Sequence, residues 1–268
     1  MKLDFHTHGK LAKQLPFSAR YTDWLLDEAK KAGLDAICLT EHFNTLQFDE
    51  LYGYLLNKGK KEGDSIVMEN GLRIFTGMET DIAEGGHILS LGKAETILEL
   101  NQRLALHKVS GSFLPFEKLM DLFSEYDVLV GAAHPYRSGG HIPDLPEEQL
   151  RRLDFLDLNG KDLAENRDRA QKQTYALGEL LAKPVVGGSD THQAVQYGCI
   201  YTDFGSKITT LKELERQMKA GAYRIEISAQ ASFQVKTACI LKRALKEIYA
   251  LGGDYVNILV NGGKGRAA

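Results

Sequence analysis

Cysteine is scarce: Cys38, Cys199 and Cys239 are odd in number, far apart and without a CxxC pair. That excludes a disulfide scaffold and a thiolate zinc site, and leaves three small apolar residues suited to burial. No stretch of the 268 residues is long and apolar enough for a membrane span. The opening MKLDFHTHG has too short an apolar run for a secretory signal, so a cytoplasmic location is expected. Neither sign of charge dominates: 33 Lys and Arg stand against 36 Asp and Glu, a formal net charge of -3. There is therefore no global field to gather nucleic acid or acidic lipid, and any contact with phosphate must be local. What remains is ordinary globular composition, with enough chain for one large barrel or two smaller domains.

The chain is rich in short apolar runs that end in polar side chains. Leu3 and Phe5 alternate with polar residues and lead into His6-Thr7-His8, a strand that delivers two histidines to one face. A helix is expected from about Thr22, as cap, to Lys31, with Gly33 ending it. Ala36 to Thr40 then forms a buried strand delivering Glu41-His42. Leu72 to Phe75 rises into Gly77-Met78-Glu79, and a hairpin to His87-Ile88-Leu89 would bring Glu79 and His87 together. Asp127 to Ala133 forms a buried strand that feeds His134-Pro135 and a loop carrying Arg137, Gly139 and Gly140. A strand at 153–158, a helix at 166–182 and Val185 to Gly188 precede Ser189-Asp190-Thr191-His192. The barrel closes near Ser228, a basic amphipathic helix follows at 233–250, and the glycine-rich segment after Ile258 reads as a frayed end.

A helical bundle would not place His-x-His, Glu-His, Glu, His-Pro and Asp-x-His at the ends of successive short strands. A barrel gathers such ends into one mouth. Imidazole and carboxylate together suit zinc, manganese or iron. The candidate ligands are His6, His8, His42, Glu79, His87, His134, Asp190 and His192. His107 sits in a helical context and stays outside the set, while His141 lies in the glycine loop, in reach of substrate or at the surface. Arg137 is a candidate phosphate clamp, its surface alternative being a salt bridge, and Lys13 is a second cation that could face the site.

These motifs together resemble the PHP family, named for its occurrence in bacterial DNA polymerases and histidinol phosphatases: His6-Thr7-His8, Thr40-Glu41-His42, Gly77-Met78-Glu79, His87-Ile88-Leu89, His134-Pro135 and Asp190-Thr191-His192. The resemblance implies an α/β fold, a distorted (β/α)7 barrel, spanning 1–228, with a C-terminal helical extension over 229–268. It implies His6, His8, Glu79 and Asp190 around one ion, Glu79 bridging to a second held by His87 and His134, and His42 and His192 facing a third. Family members usually carry a further aspartate after the first His-x-His, where this chain has Ala12-Lys13. A protonated lysine has no lone pair to donate, so two ions and a weaker third are expected.

The chemistry implied is hydrolysis of a small phosphomonoester or cyclic phosphodiester by metal-activated hydroxide, with Asp190 as ligand and proton handler and Arg137 and Lys13 as cationic helpers. The partner would be a small phosphorylated substrate rather than long nucleic acid. An amide or lactone hydrolase, or a noncatalytic metal-binding module, are the alternatives.

Overall fold

The computed structural model describes residues 1–261. Eleven strands are present among them: β1 Lys2–Thr7, β2 Ala36–Leu39, β3 Lys60–Glu62, β4 Ser65–Val67, β5 Arg73–Asp81, β6 His87–Leu91, β7 Leu129–Ala133, β8 Phe155–Asn159, β9 Val185–Gly188, β10 Ile200–Asp203 and β11 Arg224–Ile227. Pairing runs β11-β10-β1-β2-β5-β6-β7-β8-β9, with β3 and β4 a side hairpin on β5. Seven of these strands, β1, β2 and β5 to β9, form the barrel expected from the sequence. All are mutually parallel except β6, which is antiparallel to both β5 and β7. That reversed strand is the distortion: β6 enters the mouth with its first residue, His87, instead of its last.

The seam between β1 and β9 is closed at its top by the peptide of Asp190 donating to the His6 carbonyl (2.7 Å) and that of His8 to the Thr191 carbonyl (2.9 Å). Gly188 permits the approach, since a Cβ there would lie 2.6 Å from His6 Cβ and would collide with the Asp157 carboxylate.

Helices α1 Ala19–Lys31, α2 Phe48–Lys58, α3 Ala94–Arg103, α4 Phe116–Phe123, α5 Glu147–Leu150, α6 Gly160–Leu181, α7 Leu211–Lys219, α8 Ala231–Ala250 and α9 Tyr255–Val260 complete the described chain. Ser18, not Thr22, caps α1, its hydroxyl accepting from the Tyr21 peptide. Thr22 instead turns inward and donates to the Gly9 carbonyl (2.9 Å), fastening the helix to the loop after His8. Helix α6 begins six residues earlier than its apolar periodicity suggested, and Asn166 interrupts it with extended backbone (φ -155°, ψ 96°). At the other end, Asp254 caps α9, so ordered helix continues past Ile258; the remaining glycine-rich residues 262–268 lie outside the described part. No helix of the described residues is long and apolar enough to cross a membrane.

Two apolar layers follow from strand alternation. Leu3, Phe5, Phe75, Leu89, Leu91, Phe155 and Val186 fill the barrel, and Leu211, Leu214 and Met218 of α7 extend the same cluster. Ile37, Leu39, Ile74, Ile88, Leu156 and Val185 face the helices. The interior face turns polar at the mouth: Glu79 continues the face of Phe75, His87 that of Leu91, and Asp157 that of Phe155.

Candidate metal centre

All eight expected ligand residues meet at this mouth. Their donor atoms form four overlapping groups, each within 4.8 Å: His6, His8 and Glu79; His6, His134 and Asp190; Glu79, His87 and His134; and His8, His42 and His192. Glu79 is the hub. Its Oε1 lies 2.8 Å from His87 Nδ1, 3.1 Å from His134 Nε2 and 3.5 Å from His6 Nε2. Its Oε2 lies 2.7 Å from His42 Nδ1 and 3.5 Å from His8 Nε2.

Several of these contacts are close without being hydrogen bonds. His6 Nε2, both ring nitrogens of His8, His42 Nδ1 and Glu79 Oε2 are buried and have no hydrogen-bond partner. Buried polar atoms are normally paired, and leaving one unpaired costs about 1–3 kcal/mol. Lone pairs that converge on a shared point, instead of on each other's hydrogens, are the arrangement a cation would satisfy.

The outer ring nitrogens are held by groups that fix which nitrogen faces inward. Asp157 Oδ2 takes His6 Nδ1 at 2.9 Å, Asp81 Oδ1 takes His87 Nε2 at 3.0 Å, and the Lys10 carbonyl takes His192 Nδ1 at 2.9 Å. Asp157 is further braced by the Asn159 amide at 2.8 Å. These carboxylates escaped the sequence reasoning, although a charged residue inside the apolar run Phe155-Leu156-Asp157-Leu158 was a signal for a buried partner.

Protonation follows the same geometry. Burial would raise the carboxyls, but Glu79 is driven well below its ordinary value by His87, His42 and His6, and Asp190 by Lys161, His8, His6 and Arg137. Burial keeps His134 and His192 well below theirs, aided by the charges of Arg137 and Lys242, and brings His42 down to about 4. Burial also opposes the charged form of His87, yet Glu79 and Asp81 carry it up to about 9. Burial likewise opposes the charged form of His6, but Glu79, Asp157 and Asp190 raise it well above its ordinary value. The ionised carboxylates and the neutral rings of His42, His134 and His192 are in the forms that donate to a metal, whereas His6 and His87 would release a proton on binding one.

His134 (φ 33°) and Asp190 (φ 58°) have left-handed backbone that non-glycine residues avoid. Each sits in the turn just beyond its strand. Asp190 presents Oδ1 to His8 Nε2 at 3.2 Å, while Oδ2 receives Arg137 Nη1 and Lys161 Nζ, both at 2.7 Å. Arg137 also donates to Asp162 (3.0 Å) and Asn159 (2.6 Å), so three of its N–H groups are engaged by the protein. Lys13 pairs with Asp81 Oδ2 at 3.2 Å. His107 contacts the Ser112 carbonyl and the exposed His141 contacts Asp144, both outside the four groups.

The PHP domain profile matches residues 4–166. The chain belongs to the PHP family. No relative is found among the curated proteins. Among solved structures, this PHP chain resembles PsfC from Pseudomonas syringae PB-5123, with 24% identity and a TM-score of 0.73 over 91% of this chain and 98% of that one. It also resembles the lesion-specific endonuclease PfuEndoQ from Pyrococcus furiosus, with 19% identity and a TM-score of 0.61 over 84% of this chain but 57% of that one. At such identities the likeness is one of fold. Family membership and the clustered donors give the chain the framework of a metal-dependent PHP hydrolase, with sites able to take one or more divalent ions.

Proposed function

We propose that residues 1–228 form a phosphoesterase barrel that binds two divalent ions firmly and a third weakly, with the following helices as an extension packed on it. The observation that carries this is the convergence of buried, unpartnered ring nitrogens on Glu79 and Asp190. His6, His8, Glu79 and Asp190 would surround one ion, and Glu79, His87 and His134 the second. His42 and His192, joined by His8, face the third position. That group holds imidazoles alone, and the ammonium of Lys13 is turned to Asp81, so the third site lacks a carboxylate of its own. Zinc, manganese and iron all suit these donors.

Divalent ions bound here would supply Lewis acidity and a water of lowered pKa. The protein's own part is orientation. Asp157, Asp81 and the Lys10 carbonyl hold three rings with a lone pair inward. Asp190 Oδ1 is the oxygen available to hold the attacking water and accept its proton, and the two cations on Oδ2 keep that carboxylate fixed. Arg137 retains two N–H groups for a phosphoryl oxygen.

The test is reconstitution of metal-free protein with zinc, manganese or iron, followed by assay on phosphomonoesters, cyclic phosphodiesters, a lesion-bearing oligonucleotide, amides and lactones. Absence of phosphoester turnover with every metal would sink the proposal; amide or lactone cleavage would install the other hydrolase in its place. For Arg137→Ala, phosphoester kcat/KM should fall about 10- to 100-fold, the worth of a charge-assisted hydrogen bond. Metal content should hold, because the direct donors remain. Unchanged efficiency would reduce Arg137 to a structural ion pair, and a parallel loss of metal would show that it acts only through Asp190.

A further inference from the structure

Helix α8 buries Ala231, Val235, Ala238 and Leu245 against the rest of the molecule. These spacings trace one helical stripe, and between Ala238 and Leu245 the stripe passes through Lys242. Lys242 is half-buried there, whereas Ile240 is 60% exposed. The apolar and charged residues have exchanged places. Among the described residues no carboxylate or carbonyl pairs with the Lys242 ammonium. An unpaired charge on a half-buried face is costly, and packing alone would favour an aliphatic residue.

The surroundings of Lys242 are those of the mouth. Helix α8 packs on α6 and on the 3-10 turn Ala194–Gln196, which starts two residues after His192. It is fastened there by Gln234 Nε2, which donates to the carbonyls of Tyr197 (3.1 Å) and Val195 (3.3 Å). Lys161 lies in the first turn of α6, with Nζ on Asp190 Oδ2. Besides burial, Lys161 is the foremost influence lowering the Lys242 ammonium to about 8, while Asp190 and Glu41 act the other way. Asp190 Oδ2 is already shared by Lys161 and Arg137 and offers Lys242 no direct bond. Lys242 thus lies on the buried stripe of a helix that packs on α6, whose first turn carries Lys161, and neither ammonium has an anion to itself, an arrangement that a bound anion relieves.

We propose that Lys161 and Lys242 form an anion subsite at the rim of the mouth, which holds nonbridging oxygens of a dianionic phosphate. Lys242 comes from α8, beyond the segment matched by the family profile. The subsite deepens the phosphoesterase proposal, on which its role in turnover rests: two ammonium groups favour a phosphomonoester, with two negative charges, over a diester with one.

Inorganic phosphate titrated calorimetrically into the manganese-loaded full chain tests the subsite without turnover. Lys242→Met should weaken phosphate binding about tenfold or more, and Lys242→Arg should restore most of it. Manganese content should be unchanged, and the melting temperature of Lys242→Met should not fall, because methionine keeps the apolar stem and removes the unpaired charge. In turnover, KM for a monoester should rise more than KM for a cyclic diester. Equal phosphate affinity in wild type and Lys242→Met, or no phosphate binding by wild type, would overturn the subsite. Weakened binding in a protein that cleaves no ester would uphold the subsite and remove the phosphoesterase proposal instead.

Discussion

Glu79→Gln should lose most of the bound metal and on the order of 10³ in kcat/KM, about 4 kcal/mol of transition-state stabilisation. Five imidazoles approach the two oxygens of this carboxylate within 3.5 Å, so it lies against donors of every proposed ion position. Glutamine keeps the shape but offers one neutral oxygen and an NH2 that cannot coordinate. The same NH2 can donate to a neutral ring, so the folded barrel should persist. Metal analysis, kinetics and circular dichroism on the purified variant would check this. Normal metal stoichiometry with near-normal turnover would remove Glu79 from the centre.

Asp190→Asn should be the second large loss, and a loss of stability as well as of activity. In the native chain one oxygen of Asp190 neutralises both Arg137 and Lys161. An amide leaves two partly buried cations without their shared anion. Breaking a fully buried pair costs about 3–5 kcal/mol. Since Arg137 and Lys161 are each about a quarter exposed and Arg137 keeps Asp162, roughly 2–3 kcal/mol is expected here. That corresponds to a fall in Tm of about 4–12 °C for a chain of this size. Thermal melts in chelator isolate the ion-pair effect from lost coordination; an unchanged Tm there would mean that Arg137 and Lys161 find other partners. Turnover should fall about 100-fold or more, with reduced retention of the ion beside His8.

Much of this site was legible because barrel strands are short apolar runs and their ends stand out. His6, His8, His42, Glu79, His134 and Asp190 each stand at the end of such a run or within a few residues of it. A barrel followed from the same punctuation, and so did the hairpin that brings His87 to Glu79, while the distorted seven-stranded form came from the family resemblance. The direction of β6 was visible only in that hairpin. The orienting carboxylates were harder. Asp81 and Asp157 lie inside or at the end of strands that already had an obvious assignment, and a partner for a histidine ring is defined by space, not by sequence distance. Lys161 falls before the helix that the sequence delimits at 166–182, and Lys242 is a single charge on the apolar stripe of a basic helix; only the fold sets Lys161 on Asp190 and packs α8 on α6. Arg137 was found for its charge, but its three bonds to Asp190, Asn159 and Asp162 required the fold.

The reversed strand β6 also divides the centre by chain distance. Glu79 and His87 are 8 residues apart on one hairpin, whereas the contact of Ser189 with His6 at the barrel seam spans 183. Loop-closure entropy grows with the logarithm of that span, a difference of about 3 kcal/mol. The hairpin half of the centre should therefore assemble while the β1–β9 seam is still open, and pulse-labelled hydrogen exchange would show β5 and β6 protected before β1 if it does. An ion captured by Glu79 and His87 would then be aboard before the barrel shuts, so that metal loading belongs to the folding of this chain as much as to its finished state.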